Sequence, residues 1–174
     1  IIGRLLEISE ALIKLQNYQA SLIIFNALSN PFVQLLKEAR RRLTPENLAQ
    51  ERLLKNLIDF ENRYSNLRKV MLRADPPMIA CLNIISGDIM KLDGVENIIE
   101  LGEEKYVNLK KMEEIATSVE LLIKSKTKSY TFEERKVYCY FLEKGYQVFM
   151  SKYLDLDNIQ EAEFKLFEIA KQKT

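Results

Sequence analysis

Histidine is absent from the 174 residues, and cysteine occurs only at Cys81 and Cys139. Without histidine there is no Ser-His-Asp or Cys-His catalytic group, no haem or zinc held by imidazole, and no Glu-x-x-His di-iron site. The two cysteines lie far apart and outside any Cys-x-x-Cys pair, which argues against a structural zinc and a disulfide framework. Two free thiols are typical of a reducing compartment. We therefore expect a cytoplasmic location. If the protein is an effector that a bacterium translocates into a host cell, the expected location is the host cytosol.

Glycine is also scarce, since only five are present. Their spacing matches neither the GxGxxG fingerprint nor a P-loop, so we do not expect this chain to be a nucleotide-binding Rossmann or NTPase domain. An excess of one charge sign is lacking too, because the sequence has 26 basic and 25 acidic residues, for a net charge of +1. Such a balance does not indicate a nucleic-acid partner.

Long apolar runs are missing as well. None approaches the roughly 20 residues that a transmembrane helix requires. The first residues, IIGRLLEISEAL, form a charged amphipathic pattern without an initiator Met, which is unlike a signal peptide. We expect the sequence to begin inside a larger protein, with any membrane recruitment peripheral and provided by other domains.

Helical periodicity, by contrast, runs along nearly all of the sequence. Ile1, Leu5, Ile8, Leu12 and Leu15 recur at spacings of four and three, which gives one apolar face. The stretch 20–28 is apolar nearly all round and predicts a buried helix. No alternating strand pattern of useful length is present. The sequence predicts an all-α fold, an irregular bundle of eight or nine helices in one domain over 1–174.

Prolines mark the main helix boundaries. Pro31 fits the first turn of a helix that extends to about residue 43. Thr44 and Pro45 are a capping residue and a first-turn proline, and predict a helix that ends near residue 62, followed by another over 63–74. Pro76-Pro77 then stops helical structure, because a residue before proline is driven out of helical geometry.

Two helices follow the double proline, at 78–92 and 106–125, and an irregular stretch between Gly94 and Gly102 joins them. The pattern alone favours a hairpin packed into the bundle, although such a hairpin can also project. Beyond a polar break at 124–130, the sequence predicts three further helices, at 132–143, 146–154 and 157–171.

Several groups that could carry chemistry have ordinary explanations. The basic tract 37–43 could contact phosphate or anionic lipid, but a solvated helix face is favoured because the overall charge is balanced. The adjacent carboxylate pairs diverge by about 100° on a helix, so they do not face each other for acid–base catalysis. These pairs are Glu103-Glu104, Glu113-Glu114 and Glu133-Glu134.

Aromatic residues and thiols are interpreted in the same way. Tyr138, Tyr140 and Tyr146 favour a mostly buried cluster over an exposed platform. Cys81 and Cys139 favour small core residues over nucleophiles, since neither has an evident base.

Five short motifs follow one another in a recognisable order. LLEISEALIKLQNY (5–18) stands where a known pattern has Ile-x-Ile-Ala followed by Leu-x-x-x-Asn and an aromatic residue. ALSNPFVQLL (27–36) stands where that pattern has a buried helix ending Ala-Leu-Asn-Ser-Pro-x-Val-x-x-Leu. RYSNLRKVMLRADPP (63–77) stands where the pattern has a Tyr-x-x-Tyr-Arg helix before Asn-Pro-Pro, and it keeps Tyr64, Arg68, Ala74, Pro76 and Pro77. YVNLKKMEEIA (106–116) stands where the pattern has Ile-Asn-Phe-x-Lys-Arg, and it supplies Val107, Asn108, Leu109 and Lys111. YTF (130–132) follows a polar break. In this order they resemble the C-terminal two-thirds of the catalytic domain of Ras-family guanine nucleotide exchange factors.

The resemblance implies a projecting helical hairpin over about 78–125 and a role in signal transduction. In that family the hairpin wedges open the first switch segment of a small GTPase, while the second switch packs on a central groove. The implied partner is a Ras-family GTPase, with its nucleotide-free state favoured. The resemblance implies no bound cofactor, no metal, no nucleic acid and no bond-breaking chemistry, because the nucleotide leaves once the charge partner of its phosphates is removed.

Site residues are implied by counting from the double proline. The family places an apolar side chain where the magnesium of the GTPase sat, and this position falls on Met90. One turn later it places a glutamate that competes for the phosphate-binding loop; this falls on Gly94, with the carboxylate of Asp93 one position earlier. Met90 and Asp93 are therefore the expected exchange residues. The expected GTPase-binding residues are Ser29, Tyr64, Arg68, Gly87, Lys91 and Gly94.

Other family features are absent. ACLN (80–83) replaces Pro-Phe-x-Gly, Ser29 replaces the groove asparagine, and Leu35 stands where an arginine is expected. The N-terminal portion of the family domain, which helps bind the second switch, is not in this sequence. Two alternatives therefore stay open: a pseudo-exchange factor that binds a GTPase without opening it, and an unrelated helical module for protein–protein interaction.

Overall fold

The computed structural model describes residues 1–153, which form nine α-helices and one two-stranded antiparallel sheet. The helices are α1 (Ile2–Lys14), α2 (Tyr18–Ser29), α3 (Pro31–Gln34), α4 (Lys37–Arg41), α5 (Pro45–Leu57), α6 (Ser65–Arg73), α7 (Leu82–Asp93), α8 (Leu109–Thr127) and α9 (Lys136–Tyr153). The strands are β1 (Ile98–Leu101) and β2 (Glu104–Val107). The predicted all-α class is confirmed, whereas the helix predicted at 157–171 lies outside the described residues.

The chain groups into two compact units. The larger unit comprises Ile1, Gly3–Asn26 and Thr44–Ser129, and the smaller unit comprises Ile2, Ala27–Leu43 and the described residues from Tyr130 onwards. The boundary between the units passes through α2, and the larger unit holds both strands together with α7 and α8. The extent of a single domain over 1–174 stays a prediction. No helix among the described residues is both long and apolar enough to cross a membrane.

The core of the larger unit is built from apolar side chains of α1, α2, α6 and the segment before α7. Those with the least exposure are Leu6, Leu22, Leu67, Met71, Met78 and Cys81. Two buried hydroxyls join α1 to α2: the Oγ atoms of Ser9 and Ser21 lie 2.8 Å apart, and Ser21 Oγ donates to the Ser9 carbonyl oxygen at 3.0 Å. Each hydroxyl thus has a partner, as burial of a polar group requires.

The segment 78–81 is extended, although the sequence predicted helix from residue 78. The Tyr18 N–H donates to the Ile79 carbonyl oxygen at 3.0 Å, and the Ile79 N–H donates to the Gln16 carbonyl oxygen at 2.9 Å. The side-chain amide of Gln16 also donates to the Asp75 carbonyl oxygen at 2.9 Å. Because the break between α1 and α2 thus binds the chain around Ile79, α7 begins only at Leu82.

Two predicted helices in the first half have different bounds. The helix expected over 31–43 is divided into α3 and α4, with the side chain of Asn30 capping α3 through the Phe32 N–H at 2.9 Å. The predicted cap at Thr44 is confirmed, because its Oγ1 accepts from the Asn47 N–H at 3.2 Å. However, α5 ends at Leu57 and not near residue 62, since Ile58 leaves helical geometry with φ −100° and ψ 56°.

Towards the C-terminal end, α9 replaces the two helices predicted at 132–143 and 146–154. Gly145 lies inside α9 and does not end it, because a single glycine costs a helix interior only about 1 kcal/mol. The predicted buried tyrosine cluster is also wrong for Tyr138 and Tyr140, whose side chains are exposed. Tyr146 lies outside the side chains that the structure describes.

The stretch 20–28 is less buried than its composition predicted. Within α2, Leu22, Phe25 and Leu28 are buried, whereas Ile23 is 55% exposed. Positions three residues apart share a helix face, so α2 has one buried face and not an apolar circumference. The interpretation of Cys81 as a core residue is confirmed, and Cys139 is half-buried.

A β-hairpin connects α7 to α8 where the sequence analysis expected an irregular stretch. Ile98 pairs with Val107 and Leu101 with Glu104, so the turn contains Gly102 at φ 68°. A positive φ at this position favours glycine, which lacks a Cβ. All eight strand residues are exposed. These strands therefore show no buried side whose alternation could have identified them in the sequence.

Candidate functional site

Helix α7 carries most of the predicted site residues and is anchored on one side. Ile84, Ile85 and Leu92 are buried, at no more than 8% exposure. They recur with the spacing of one helix face, and this face is directed into the larger unit. The opposite side of α7 is consequently left at the surface.

Five predicted residues of α7 form what we call the α7 face: Gly87, Met90, Lys91, Asp93 and Gly94. Met90, Asp93 and Gly94 lie on the outward side, whereas Gly87 and Lys91 lie at its border, three and seven residues from the buried Ile84. Four of them follow an i, i+3, i+4, i+7 spacing, and Asp93 is three residues from Met90. Met90 is 76% exposed, and Lys91, Asp93 and Gly94 are exposed as well. The structure therefore places a long apolar side chain and a carboxylate next to each other at the surface.

The two glycines of the α7 face have no packing role in the described part of the chain. A Cβ added at Gly87 meets no atom within 4 Å, and one added at Gly94 comes no closer than 3.9 Å to the Lys91 carbonyl oxygen. Gly94 has an ordinary φ of −78°. Neither tight packing nor a left-handed backbone requires glycine at either position. Gly87, inside α7, is therefore suited to close approach by a partner backbone, whereas Gly94, at the end of α7, leaves room for a side chain.

Arg68, on α6, is held by α7. Its guanidinium group donates to both carboxylate oxygens of Asp88, with Nη2 2.9 Å from Oδ1. Its Nε donates to the Arg63 carbonyl oxygen at 2.9 Å. The side chains of Arg68 and Asp88 are 32% and 23% exposed, so the pair is partly buried. This two-pronged geometry fixes both distance and orientation between the two helices.

Asp88 was missed by sequence reasoning. Its partner lies 20 residues earlier on another helix, and no local pattern identifies such a pair. The predicted contact of Arg68 with a GTPase stays a prediction, and the structure adds that this arginine supports the helix carrying Met90.

Tyr64 lies at the start of α6 with a left-handed backbone, at φ 57° and ψ 29°. Arg63 before it also has a positive φ, of 50°. Left-handed geometry is uncommon for residues with a side chain, and such strain occurs often at functional sites. The ring of Tyr64 meets that of Phe60 edge to face, with centroids 5.7 Å apart. Phe60 is 75% exposed, so this aromatic pair is accessible at the surface.

A cavity of about 600 Å³ is lined by residues of α6, α7 and α8. Its lining includes the ion pair of Arg68 and Asp88, Lys91 of the α7 face, and buried apolar side chains such as Ile85 and Leu121. The cavity therefore lies beside the helix that carries the predicted exchange residues.

Ser29, the last residue of α2, is exposed and belongs to the smaller unit. Next to it, Gln34 Nε2 donates to the Leu28 carbonyl oxygen at 2.8 Å. This bond closes the corner between α2 and α3 and leaves Ser29 at the surface of its unit.

The β-hairpin between α7 and α8 adds exposed apolar side chains. Ile99 and Tyr106 face each other across the two strands, and both are exposed. The Tyr106 hydroxyl donates to the Glu104 carboxylate, and this bond raises the pKa of Tyr106. Within residues 1–153, no three Cys, Asp or Glu side chains come together as metal ligands.

A comparison with protein-family models matches the RasGEF domain over residues 1–113. This region contains α1 to α7, both strands and the first residues of α8, and therefore the whole α7 face. A search of curated proteins found no match. The family match covers more than half of the chain and agrees with the order of motifs in the sequence. The chain therefore belongs to the RasGEF domain family, a family of guanine nucleotide exchange factors for Ras-like GTPases.

Proposed function

We propose that this chain accelerates the release of guanine nucleotide from a Ras-like small GTPase by presenting the α7 face to the nucleotide-binding site. The observation that carries the proposal is Met90, a long apolar side chain 76% exposed on a helix anchored from behind by buried residues. Family membership supplies the reaction, and the exposed α7 face supplies the surface that would perform it.

Met90 would act by excluding a cation. An apolar side chain offers no oxygen ligand to magnesium, which prefers hard oxygen donors. Once Met90 occupies the magnesium position, the phosphates of the nucleotide lose their charge partner. The affinity of the GTPase for its nucleotide then falls without any covalent step.

Asp93 would act on the phosphate-binding loop. The backbone N–H groups of such a loop bind anions, and a carboxylate can compete with phosphate for them. Asp93 is exposed and three residues from Met90, so it lies about one helical turn away on the same side. Because the exchange factor would bind the nucleotide-free GTPase more tightly than the loaded form, binding shifts the population towards nucleotide release.

Tyr64 and Ser29 are proposed to contribute contact area. Tyr64 forms an accessible aromatic pair with Phe60, and aromatic side chains supply much of the binding energy at interfaces. Ser29 is proposed as a contact of the smaller unit, because it is exposed and replaces the groove asparagine of the family pattern.

A specific observation favours a second candidate, a module that binds the GTPase without opening it. Gly94 occupies the position of the family glutamate, and glycine offers no carboxylate to the phosphate-binding loop. In this alternative the α7 face still binds the nucleotide-free GTPase, but nucleotide release stays at its intrinsic rate.

Release of fluorescent GDP from a panel of Ras, Rap, Ral and Rho-type GTPases tests the proposal, with the chain at micromolar excess. We expect faster release from at least one of them, and a decrease of about tenfold or more for Met90→Asp. The matched control is Ile123→Asp on α8, since Ile123 is also exposed, at 58%, but lies outside the α7 face. We expect Ile123→Asp to behave like the unchanged chain.

An unchanged rate for Met90→Asp would contradict the mechanism. If the unchanged chain accelerates GDP release from none of the GTPases, capture of a nucleotide-free GTPase on the immobilised chain would support the binding module. If the chain neither accelerates GDP release nor captures a GTPase, the result would support a helical interaction module whose function does not involve GTPases.

A further inference from the structure

The start of α8 binds the segment that follows α7. Lys111 Nζ donates to the Val95 carbonyl oxygen at 2.5 Å, and Asn108 Nδ2 donates to the Glu96 carbonyl oxygen at 3.0 Å. The backbone N–H of Asn108 donates to the Asn97 carbonyl oxygen at 2.8 Å. Three successive carbonyl groups are thus bound by residues of one helix start, an arrangement that we call the clamp.

Both residues of the clamp are themselves well fixed. Asn108 Oδ1 accepts from the Lys111 N–H at 3.1 Å, so Asn108 also caps α8. The two residues are only 9% and 8% exposed. A lysine is buried at a cost unless its ammonium group has a partner, and here that partner is the backbone of the segment after α7. The direction of the chain between α7 and β1 is therefore determined by side chains of α8.

The clamped segment directly follows the α7 face. Gly94 ends α7 as its C-cap, and the Val95 N–H donates to the Leu92 carbonyl oxygen at 3.1 Å. Asp93 is two residues before Val95, so the clamp holds the last turn of α7 from its C-terminal side. Arg68 holds the same helix through Asp88, near its middle.

We infer that Asn108 and Lys111 are positioning residues for nucleotide exchange, because they fix the end of α7 and so the placement of Asp93 and Met90. This inference rests on the proposed function. Neither residue needs to touch the GTPase, since both bind this chain's own backbone. Their effect on exchange is to keep the α7 face in one orientation before the GTPase arrives.

The test uses variants that separate the clamp from the helix cap. Lys111→Met keeps the long apolar stem and removes the ammonium donor, whereas Lys111→Arg keeps a cationic donor. Asn108→Asp keeps the oxygen that caps α8 and loses the N–H that binds the Glu96 carbonyl. Lys110→Met is the matched control, because Lys110 is adjacent and exposed.

The first measurement is amide hydrogen exchange in the free chain, which needs no GTPase. We expect the amides of Val95–Leu101 to exchange about tenfold faster in Lys111→Met and Asn108→Asp, while those of the α7 core around Ile84 and Ile85 keep their protection. Lys111→Arg should retain most of the protection, and Lys110→Met all of it. Unchanged protection of Val95–Leu101 in Lys111→Met would overturn the clamp.

The second measurement is GDP release as a function of GTPase concentration, at a temperature where every variant is fully folded. We expect Lys111→Met to lower kcat about tenfold with KM within about twofold, and Lys111→Arg to restore most of the rate. A purely structural role would not change kcat in fully folded protein. Faster amide exchange with an unchanged kcat would overturn the positioning role, and absence of release by the unchanged chain would overturn it together with the proposed function.

Discussion

Arg68 and Asp88 join α6 to α7 directly behind the α7 face. The guanidinium group donates to both carboxylate oxygens. Asp88 and Met90 are two residues apart, which corresponds to about 200° around a helix. The ion pair therefore supports α7 from the side opposite Met90, and the exposed methionine is presented by a helix that is fastened to its neighbour.

Replacing Arg68 by methionine is expected to destabilise the chain. Asp88 would keep a partly buried carboxylate without its partner, which costs about 1–3 kcal/mol. For a chain of this size, each kcal/mol lowers Tm by about 2–4 °C. Thermal unfolding followed by circular dichroism measures the shift. Arg4→Met is the control, because its pair with Glu7 is exposed, at 78% and 44%, and such pairs contribute little. Equal Tm values for the two variants would refute a structural role for the Arg68 pair.

Replacing Gly94 by glutamate is expected to increase exchange activity. The backbone there is compatible with any residue, and an added Cβ stays 3.9 Å from its nearest neighbour. A carboxylate at this position would join Asp93 in competing for the phosphate-binding loop. We expect GDP release about five- to tenfold faster than with the unchanged chain.

Gly94→Gln is the matched control for that experiment, since glutamine has the same shape without the charge. We expect its release rate to stay within about twofold of the unchanged chain. Equal acceleration by glutamine and glutamate would show that charge at this position has no part in exchange.

Local chemistry predicted helix boundaries best where a capping residue or a proline marks them. Thr44 and Pro45 were identified as a helix start, and the structure confirms the cap. The end of α5 at Leu57 was missed, since no glycine or proline marks it. The late start of α7 was missed for a clearer reason: Ile79 bonds to the chain around Gln16, and periodicity does not report a pairing between residues so distant in sequence.

The candidate site shows the same division between features with a local sequence signal and features that depend on residues distant in sequence. Once helix α7 is given, spacing alone places Met90 and Gly94 on one side, and the structure shows that side exposed. The residues that hold α7 in place were not predicted. Asp88 pairs across two helices, and Lys111 reaches the Val95 carbonyl only because the chain reverses in the β-hairpin. Tertiary contacts of this kind depend on the assembled fold and not on any local pattern.

The burial of the Cys81 thiol predicts that the chain loses stability at alkaline pH. Burial raises the pKa of its thiol from the ordinary value of 9.0 to about 12. The folded chain thus keeps a proton that the unfolded chain loses above pH 9, so this contribution to stability is complete below pH 9 and is lost as pH rises towards 12. Its limiting slope is about 1.4 kcal/mol per pH unit.

Urea unfolding of the unchanged chain and Cys81→Ala at pH 8, 9 and 10 measures this contribution. The difference between the two free energies of unfolding removes the titration of groups that both proteins share. We expect this difference to decrease from pH 9 to pH 10. A difference that stays constant over this range would show that the Cys81 thiol ionises equally in the folded and unfolded chain.

Replacing Gly87 by alanine is expected to have opposite effects on stability and on nucleotide exchange. Gly87 lies inside α7, where an added Cβ meets no described atom within 4 Å, so Gly87→Ala should stabilise the helix by about 1 kcal/mol and raise Tm by about 2–4 °C. The added methyl group, however, stands on the α7 face and would keep a partner backbone at a distance, so GDP release should slow. Gly145→Ala in α9 is the control, because its Cβ also meets no described atom within 4 Å. This variant should stabilise the chain similarly and leave release unchanged. If Gly87→Ala releases GDP at the unchanged rate, the GTPase does not approach α7 closely at this position.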